Sequence, residues 1–292
     1  MGYKQYLRRL ARYILFAQPK AVTKVNIAQI NYGEILKGRT IAITGGGRGL
    51  GYSMAKKCVS EGAQVIIAGR NSKTLEKAAA ELGDSVDYIQ FDVADIDSHK
   101  EFLVRCREKF GKTVDSLICN AGISLHEGDF HKVTPQSFDS QFNTNFRASY
   151  FLSKAFLEMT IAENNGGGGN LILLSSESAS QNYDIPYGMT KAAINSLTGA
   201  LSRRVYSYGI RVNAIAPGVT LSDMTKEYAD VTDGNLSRNC AAGRIFLPEE
   251  VAELACFLLS DASKCISGEI IHCNAGNHLN PFWEMSVSSF ES

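Results

Sequence analysis

The chain has 292 residues, of which 45% are hydrophobic and 21% charged, and its formal net charge is zero. This length suffices for one large α/β domain or two small ones. A neutral charge balance excludes the strongly basic proteins that bind nucleic acid, so we expect no nucleic-acid partner. The seven cysteines are scattered without metal-ligand spacing. We therefore expect reduced, mostly buried thiols in a cytoplasmic protein, and no metal site.

Residues 1–35 form a basic arm ahead of the predicted domain. The first 33 residues carry six basic side chains and no acidic one. Apolar and aromatic side chains recur there at helical spacing, at Tyr3, Tyr6, Leu7, Leu10, Tyr13 and Ile14. This pattern predicts an amphipathic helix that packs on the body or a neighbouring subunit, or that contacts an anionic membrane surface peripherally. A targeting segment is a third interpretation. No stretch of the chain approaches the roughly 18 apolar residues of a membrane span.

The first predicted strand, 40–43, leads into a glycine-rich loop. The loop reads Thr44-Gly45-Gly46-Gly47-Arg48-Gly49-Leu50-Gly51, and a helix follows it. Glycines let the backbone turn tightly and approach a pyrophosphate, whose charge lies against the helix N-terminus. A strand before the loop and a helix after it are the context that a dinucleotide-binding loop requires. The loop is therefore predicted to bind a nucleotide.

The second predicted strand, 65–68, ends at Gly69-Arg70-Asn71, with no acidic residue nearby. Folds that prefer NAD place a carboxylate here to hold the ribose 2′-hydroxyl, whereas an arginine suits a 2′-phosphate. Arg48 in the glycine-rich loop brings a second guanidinium toward the same region. We therefore predict NADP (NADPH) rather than NAD as the cofactor.

The rest of the chain continues the alternation of strands and helices. Five further strands are predicted, at 88–91, 116–119, 171–174, 211–215 and 269–272. The predicted helices lie near 49–61, 72–82, 96–110, 136–164, 187–208 and 248–260. Apolar strands that alternate with helices predict a parallel sheet covered on both faces. The expected fold class is α/β, with one doubly wound, seven-stranded domain over 36–277 and a C-terminal tail over 278–292.

Tyr187 and Lys191 lie four residues apart, on one face of a predicted helix. A phenol ordinarily titrates near pH 10, so it is a poor proton shuttle at neutral pH unless a nearby cation lowers its pKa. The lysine supplies such a cation. Just upstream, the serine pair Ser175-Ser176 ends an apolar run.

Together these motifs resemble the short-chain dehydrogenase/reductase family, in its compact single-domain subgroup. The matching features follow the family's order over roughly residues 36–277. They are the glycine-rich loop, Asp92-Val93, Asn120-Ala121-Gly122, Asn145, a serine after the fifth strand, Tyr187 with Lys191, and Pro217-Gly218. The resemblance implies a Rossmann-type fold, an oxidoreductase activity and assembly into a homodimer or homotetramer.

The resemblance also implies which residues contact the cofactor. The positions that would line the pyrophosphate are Gly45, Arg48, Gly49, Leu50 and Gly51. Those that would face the adenine and pass along the ribose are Asp92, Val93, Asn120, Ala121 and Gly122. Those that would flank the nicotinamide are Pro217, Gly218, Val219 and Thr220. Tyr187 and Lys191 are expected to contact the cofactor as well.

Four residues match the family's catalytic tetrad, namely Ser176, Tyr187, Lys191 and Asn145. Tyr187 would act as the general acid in reduction and as the base in oxidation. Ser176 would donate a hydrogen bond to the carbonyl oxygen. Lys191 would lower the tyrosine pKa and hold the nicotinamide ribose, and Asn145 would hold a water that links Lys191 to solvent. The gap of 11 residues between Ser176 and Tyr187 is about two shorter than the commonest spacing, so Ser175 stays an alternative to the favoured Ser176.

The expected function is hydride transfer between NADP(H) and a carbonyl or secondary alcohol. The segment 219–242, which covers the substrate in this fold, has few large apolar side chains. We therefore expect a small or polar carbonyl substrate, either sugar-like or a keto acid. Two alternatives come from other classes of protein: a nucleotide-sensing regulator and a membrane-surface scaffold built on the basic arm. The intact pair of Tyr187 and Lys191 favours the enzyme.

Overall fold

The computed structural model describes residues 33–163, 168–225 and 242–279. The basic arm predicted over 1–35 and the tail predicted over 278–292 lie almost entirely outside these residues, so both domain boundaries stay predictions. Most of the predicted substrate cover, 219–242, lies outside them too, and only its first seven residues and its last are described.

The described strands form one parallel sheet. They are β1 (Thr40–Thr44), β2 (Gln64–Gly69), β3 (Val86–Gln90), β4 (Ser116–Cys119), β5 (Gly169–Leu174), β6 (Ile210–Pro217) and β7 (Ile270–Cys273). Their order in the sheet is β3-β2-β1-β4-β5-β6-β7, and every neighbouring pair is parallel. The predicted seven-stranded doubly wound fold is confirmed, with strand ends shifted by one to two residues.

Helices cover both faces of the sheet and build two apolar cores. They are α1 (Gly49–Ser60), α2 (Ser72–Leu82), α3 (His99–Phe110), α4 (Pro135–Gln141), α5 (Ala148–Glu163), α6 (Pro186–Val205) and α7 (Pro248–Leu259). Successive strand side chains point to opposite faces, so Ala42 packs in the core with Phe156 while Ile41 and Ile43 pack in the core with Met54. Phe156 and Met54 are fully buried, and truncating either to alanine is expected to cost about 2–5 kcal/mol.

The helix predicted over 136–164 is helical throughout 135–163, but it is not a regular α-helix. A π-helical segment over Phe142–Arg147 joins α4 to α5 without a break. Thr134 caps α4 through a reciprocal capping box with Ser137, which fixes where the helix starts. A π-helical turn inserts an extra residue and redirects the side chains around it. Here the redirected residue is Asn145.

The topology fixes where a ligand binds. β1 lies between β2 and β4, and the connections from these strands run in opposite directions along the sheet. The loops at the carboxyl ends of β1 and β4 therefore part and leave a crevice, which is where open α/β sheets bind ligands.

Candidate active site

A cleft of about 1400 Å³ opens at the carboxyl ends of the strands. Its walls come from the glycine-rich loop, from the ends of β2, β4 and β5, and from the segment after β6. All the predicted site residues contribute to the lining except Gly51 and Asn145, which lie directly behind it. The cleft is long enough to bring the predicted nucleotide loop and the predicted proton-transfer residues into one site.

The glycine-rich loop is fastened to the end of β4. Thr44 Oγ1 accepts hydrogen bonds from the backbone amides of Asn120 (3.0 Å) and Ala121 (3.1 Å). Asn120 Nδ2 donates in return to the carbonyls of Thr44 (2.9 Å) and Gly45 (3.2 Å). Asn120 thus clamps the loop, a contact that the family resemblance, which implies a position along the ribose, does not predict. Thr44, which the sequence interpretation did not single out, is its counterpart.

Glycines are obligatory at the turn into α1. Gly45 and Gly49 have φ of +67° and +56°, which disfavours any side chain. A Cβ on Gly51 would lie 2.2 Å from the carbonyl oxygen of Gly45, so the loop could not close. The N-cap residue of α1, Arg48, makes no side-chain capping bond. The first backbone N–H groups of α1 are therefore available to a phosphate, and the loop fits a dinucleotide.

The two arginines predicted to select the cofactor lie at the nucleotide end of the cleft. Arg48 and Arg70 are both exposed and both line it. Arg48 forms a 2.8 Å ion pair with Asp223, a residue of the segment after β6. No sequence pattern indicates this ion pair, since 175 residues separate its two partners.

Asp92 and Val93 line the same end of the cleft. One carboxylate oxygen of Asp92 accepts a 3.0 Å hydrogen bond from the Ala94 amide, so it shapes its own turn. The carbonyl of Val93 bonds to the buried imidazole of His99 at 2.8 Å. This hydrogen bond holds the turn that contains Asp92 and Val93 against α3.

Tyr187 and Ser176 face each other in the cleft. The Tyr187 side chain is partly exposed, but protein atoms surround its phenol. Because these atoms disfavour the negatively charged phenolate, burial raises the pKa of Tyr187. A hydrogen bond with Ser176 lowers that pKa, and the negative charge of Glu177 raises it again. The net effect is a raised pKa, and Lys191 does not produce the lowering that the sequence interpretation expects of it.

Lys191 is buried behind the tyrosine. Its Nζ donates a 2.7 Å hydrogen bond to the carbonyl of Leu174 and lies 5.7 Å from the centroid of the Tyr187 ring. Burial lowers the pKa of Lys191 to about 8, because the interior disfavours the ammonium.

Asn145 reaches the site through the π-helical turn. Its Oδ1 accepts from the amide of Ile123 (2.8 Å), and its Nδ2 donates to the carbonyl of Ile123 (2.9 Å) and to Thr190 Oγ1 (3.2 Å). A Cβ on Gly122 would lie 3.3 Å from Asn145 Oδ1 and 3.6 Å from Lys191 Nζ. Asn145 and Lys191 thus both border the space beside Gly122.

The two serines at the end of β5 point in different directions. Ser175 is 4% exposed, and its Oγ donates to Asn195 Oδ1 (2.5 Å) and to the carbonyl of Lys191 (3.3 Å), within α6. Ser176 instead interacts with Tyr187 and accepts from the amide of Ser178 at 3.2 Å. The geometry favours Ser176 as the serine that meets a substrate.

The residues after β6 close the far wall. Thr220 makes a bridge with Phe246, whose amide donates to the carbonyl of Val219 at 2.8 Å. A Cβ on Gly218 would lie 2.8 Å from Asn274 Cβ and 3.2 Å from Glu177 Oε2. Gly218 therefore borders a buried carboxylate, Glu177, that the sequence does not single out.

Residues 33–163, 168–225 and 242–279 contain no group of three or more histidine, cysteine or acidic side chains arranged to hold a metal ion. Within the same residues, no helix is both long and apolar enough to cross a bilayer.

Similarity to known proteins agrees with this geometry. A family model described as enoyl-(acyl carrier protein) reductase matches residues 45–278. The chain is 31% identical over 245 residues to 3-oxoacyl-(acyl-carrier-protein) reductase FabG of Chlamydia trachomatis, covering 83% of this chain and 98% of the relative. It is also 31% identical over 251 residues to L-rhamnose 1-dehydrogenase (NADP(+)) of Thermoplasma acidophilum, covering 84% and 98%.

A solved structure has the same fold. The 3-ketoacyl-(acyl-carrier-protein) reductase of Brucella melitensis, complexed with NADH, is 28% identical, with a TM-score of 0.76 over 83% of this chain and 99% of that one. The family match and the relatives, together with the doubly wound sheet, lead to one conclusion. The chain belongs to the short-chain dehydrogenase/reductase family and is an oxidoreductase that acts on CH–OH or C=O groups.

Proposed function

We propose that this protein is an NADP(H)-dependent oxidoreductase that interconverts a small polar carbonyl compound and its secondary alcohol. One observation carries the proposal. Ser176, Tyr187 and Lys191 meet in one cleft, Asn145 lies directly behind it, and the other end of the cleft is the glycine-rich loop. The nucleotide-sensor and scaffold alternatives find no comparable support, since neither function needs these four side chains together.

The arrangement suits proton transfer to a carbonyl oxygen. A bound NADPH would supply the hydride to the carbonyl carbon. Tyr187, which is protonated at neutral pH, would give its proton to the oxygen, and Ser176 would donate a hydrogen bond to the same oxygen. Lys191 and Asn145 would position a water that carries protons between Tyr187 and solvent. Oxidation of the alcohol would use the same groups in reverse.

The preference for NADP rests on Arg48 and Arg70. Both guanidiniums line the nucleotide end of the cleft, where an arginine can pair with a 2′-phosphate. The rhamnose dehydrogenase relative carries NADP(+) in its name, whereas the Brucella reductase structure holds NADH. The two relatives differ, so the cofactor must be decided on this chain's own residues.

The assembly and location proposed for the protein rest on the family alone. We propose a homodimer or homotetramer in the cytoplasm. A peripheral membrane contact through residues 1–35 stays a prediction, because that arm lies outside the described residues.

The test compares cofactor binding with turnover. We expect NADPH to bind about tenfold more tightly than NADH in a titration of nicotinamide fluorescence. Two exposed ion pairs, each worth up to about 1 kcal/mol, can together supply the roughly 1.4 kcal/mol of a tenfold change. Tyr187→Phe should lower kcat by about 10²–10⁴ in a screen of carbonyl compounds with the NADPH affinity unchanged. The matched control, Tyr206→Phe, changes an exposed tyrosine outside the cleft and should leave kcat as it is. Tighter binding of NADH would refute the cofactor assignment, and no binding of either nucleotide would refute the enzyme.

A further inference from the structure

Glu177 is a buried carboxylate in the wall of the cleft. It directly follows Ser176, lines the cleft, and is only 6% exposed. Its charge is felt by both tyrosines of this wall, since it raises the pKa of Tyr187 and of Tyr183. A buried carboxylate is costly unless it is hydrogen-bonded, so its position calls for a partner.

The protein satisfies one oxygen of this carboxylate. Glu177 Oε2 accepts hydrogen bonds from Asn274 Nδ2 (3.1 Å) and Asn277 Nδ2 (3.0 Å). Asn274 is held in turn, because its Oδ1 accepts from the amide of Gly276 (3.2 Å) and bonds to His278 Nδ1 (2.9 Å). The orientation of the carboxylate is therefore fixed by hydrogen bonds from the segment that follows β7.

The other oxygen has no such partner. Among the described residues, Glu177 Oε1 makes no hydrogen bond and no salt bridge. It is also absent from the set of fully enclosed polar atoms that lack a partner, so it is accessible from the cleft. An oriented acceptor with free capacity, next to Ser176, suits a hydrogen-bond donor carried by the substrate.

We propose that Glu177 determines substrate specificity by accepting a hydrogen bond from a hydroxyl group next to the reacting carbon. The inference rests on the proposed function and narrows its substrate class to hydroxylated, sugar-like carbonyl compounds. A keto acid would bring a second negative charge beside Glu177, which the low dielectric of a buried site penalises. The keto-acid half of the expected substrate class is therefore disfavoured.

The test uses a matched pair of ketones, 2-hydroxycyclohexanone and cyclohexanone, with NADPH. We expect the wild type to favour the hydroxyketone by at least about tenfold in kcat/KM. Glu177→Gln, which keeps the shape and removes the charge, should reduce that preference about tenfold or more, mainly through KM. Any change in the acidity of Tyr187 acts on both ketones and cancels in the ratio. Glu61→Gln alters an equally buried carboxylate outside the cleft and should keep the preference.

Two results would overturn the inference: a wild type without preference, or a Glu177→Gln variant that keeps it. If the wild type binds NADPH but reduces neither ketone, the proposed reaction is at fault. Binding of trans-1,2-cyclohexanediol and of cyclohexanol to the enzyme with NADP is then compared by calorimetry. Tighter binding of the diol that Glu177→Gln abolishes supports the contact, and equal binding of the two alcohols overturns it.

Discussion

At the scale of single residues, the site holds two groups whose charged forms the protein disfavours. Burial raises the pKa of Tyr187 and lowers that of Lys191 to about 8. The phenol is therefore protonated at neutral pH, the form that carbonyl reduction needs, but it is a weaker acid than an exposed tyrosine. A lysine that titrates near neutrality can exchange protons with its surroundings, whereas an ordinary lysine stays charged.

The buried lysine makes a testable contribution to stability. Its pKa is about 8 in the folded protein and ordinarily 10.5 for a lysine exposed to water, so between these values the unfolded chain binds more protons. Stability therefore rises with pH across this window, and the destabilisation is complete below pH 8. Lys191→Met removes the effect. From about pH 7 to about pH 9.5, the wild type should gain about 2 kcal/mol in unfolding free energy relative to the variant.

Urea unfolding of both proteins at the two pH values measures this change. The methionine also alters packing and removes the hydrogen bond to Leu174, but those effects do not depend on pH. Only the change in the difference between the proteins is therefore informative. A difference that is the same at both pH values would show that Lys191 stays charged in the folded protein.

At the scale of elements, the glycine-rich loop has no room for a side chain at Gly51, whereas α6 has room for one at Gly199. In the loop, a Cβ on Gly51 would collide with the backbone of Gly45 at 2.2 Å and with Asn120 Nδ2 at 2.7 Å. In α6, a Cβ on Gly199 would meet nothing within 4 Å. The same substitution therefore has opposite consequences at these two sites.

We expect Gly51→Ala to displace the loop from Asn120 and to weaken NADPH binding at least about tenfold. Gly199→Ala should leave NADPH binding unchanged and stabilise the protein by about 0.5–1 kcal/mol, because alanine has the higher helix propensity. Fluorescence titration gives the affinities, and thermal unfolding gives the stabilities. Unchanged NADPH affinity in Gly51→Ala would mean that the loop does not form the nucleotide site.

The elements also show what the sequence could predict and what it could not. Alternating apolar runs specify the sheet because burial on both faces leaves little choice of residue, so all seven strands were predictable. The π-helical segment that contains Asn145 was not, because Asn145 is held by Ile123 and Thr190, which are distant in the chain. The orientation of Ser175 toward Asn195 was hidden for the same reason. Glu177 has no local signature, since its partners lie about 100 residues away.

At the scale of the whole molecule, the cleft joins two halves of the chain that meet across the sheet. The glycine-rich loop follows β1, and the segment that covers it follows β6. Ser222 lies 3.7 Å from the position of a Cβ on Gly49, and Arg48 forms its ion pair with Asp223 beside this contact. The guanidinium proposed to bind the 2′-phosphate is therefore already engaged by a carboxylate.

A cofactor phosphate must compete with Asp223 for Arg48. The pair is exposed, with side chains 73% and 52% accessible, so the competition is worth about 1 kcal/mol at most. Asp223→Asn should therefore tighten NADPH binding by about two- to fivefold and leave NADH binding unchanged, because NADH has no 2′-phosphate.

The matched control for this prediction is Asp261→Asn, which breaks the ion pair with Arg39, equally short at 2.8 Å but outside the cleft. It should change neither affinity. Raising the salt concentration should shrink the effect of Asp223→Asn, since exposed charges are screened. If Asp223→Asn changes NADPH and NADH affinity equally, Arg48 does not read the 2′-phosphate, and Arg70 alone must carry the preference for NADP.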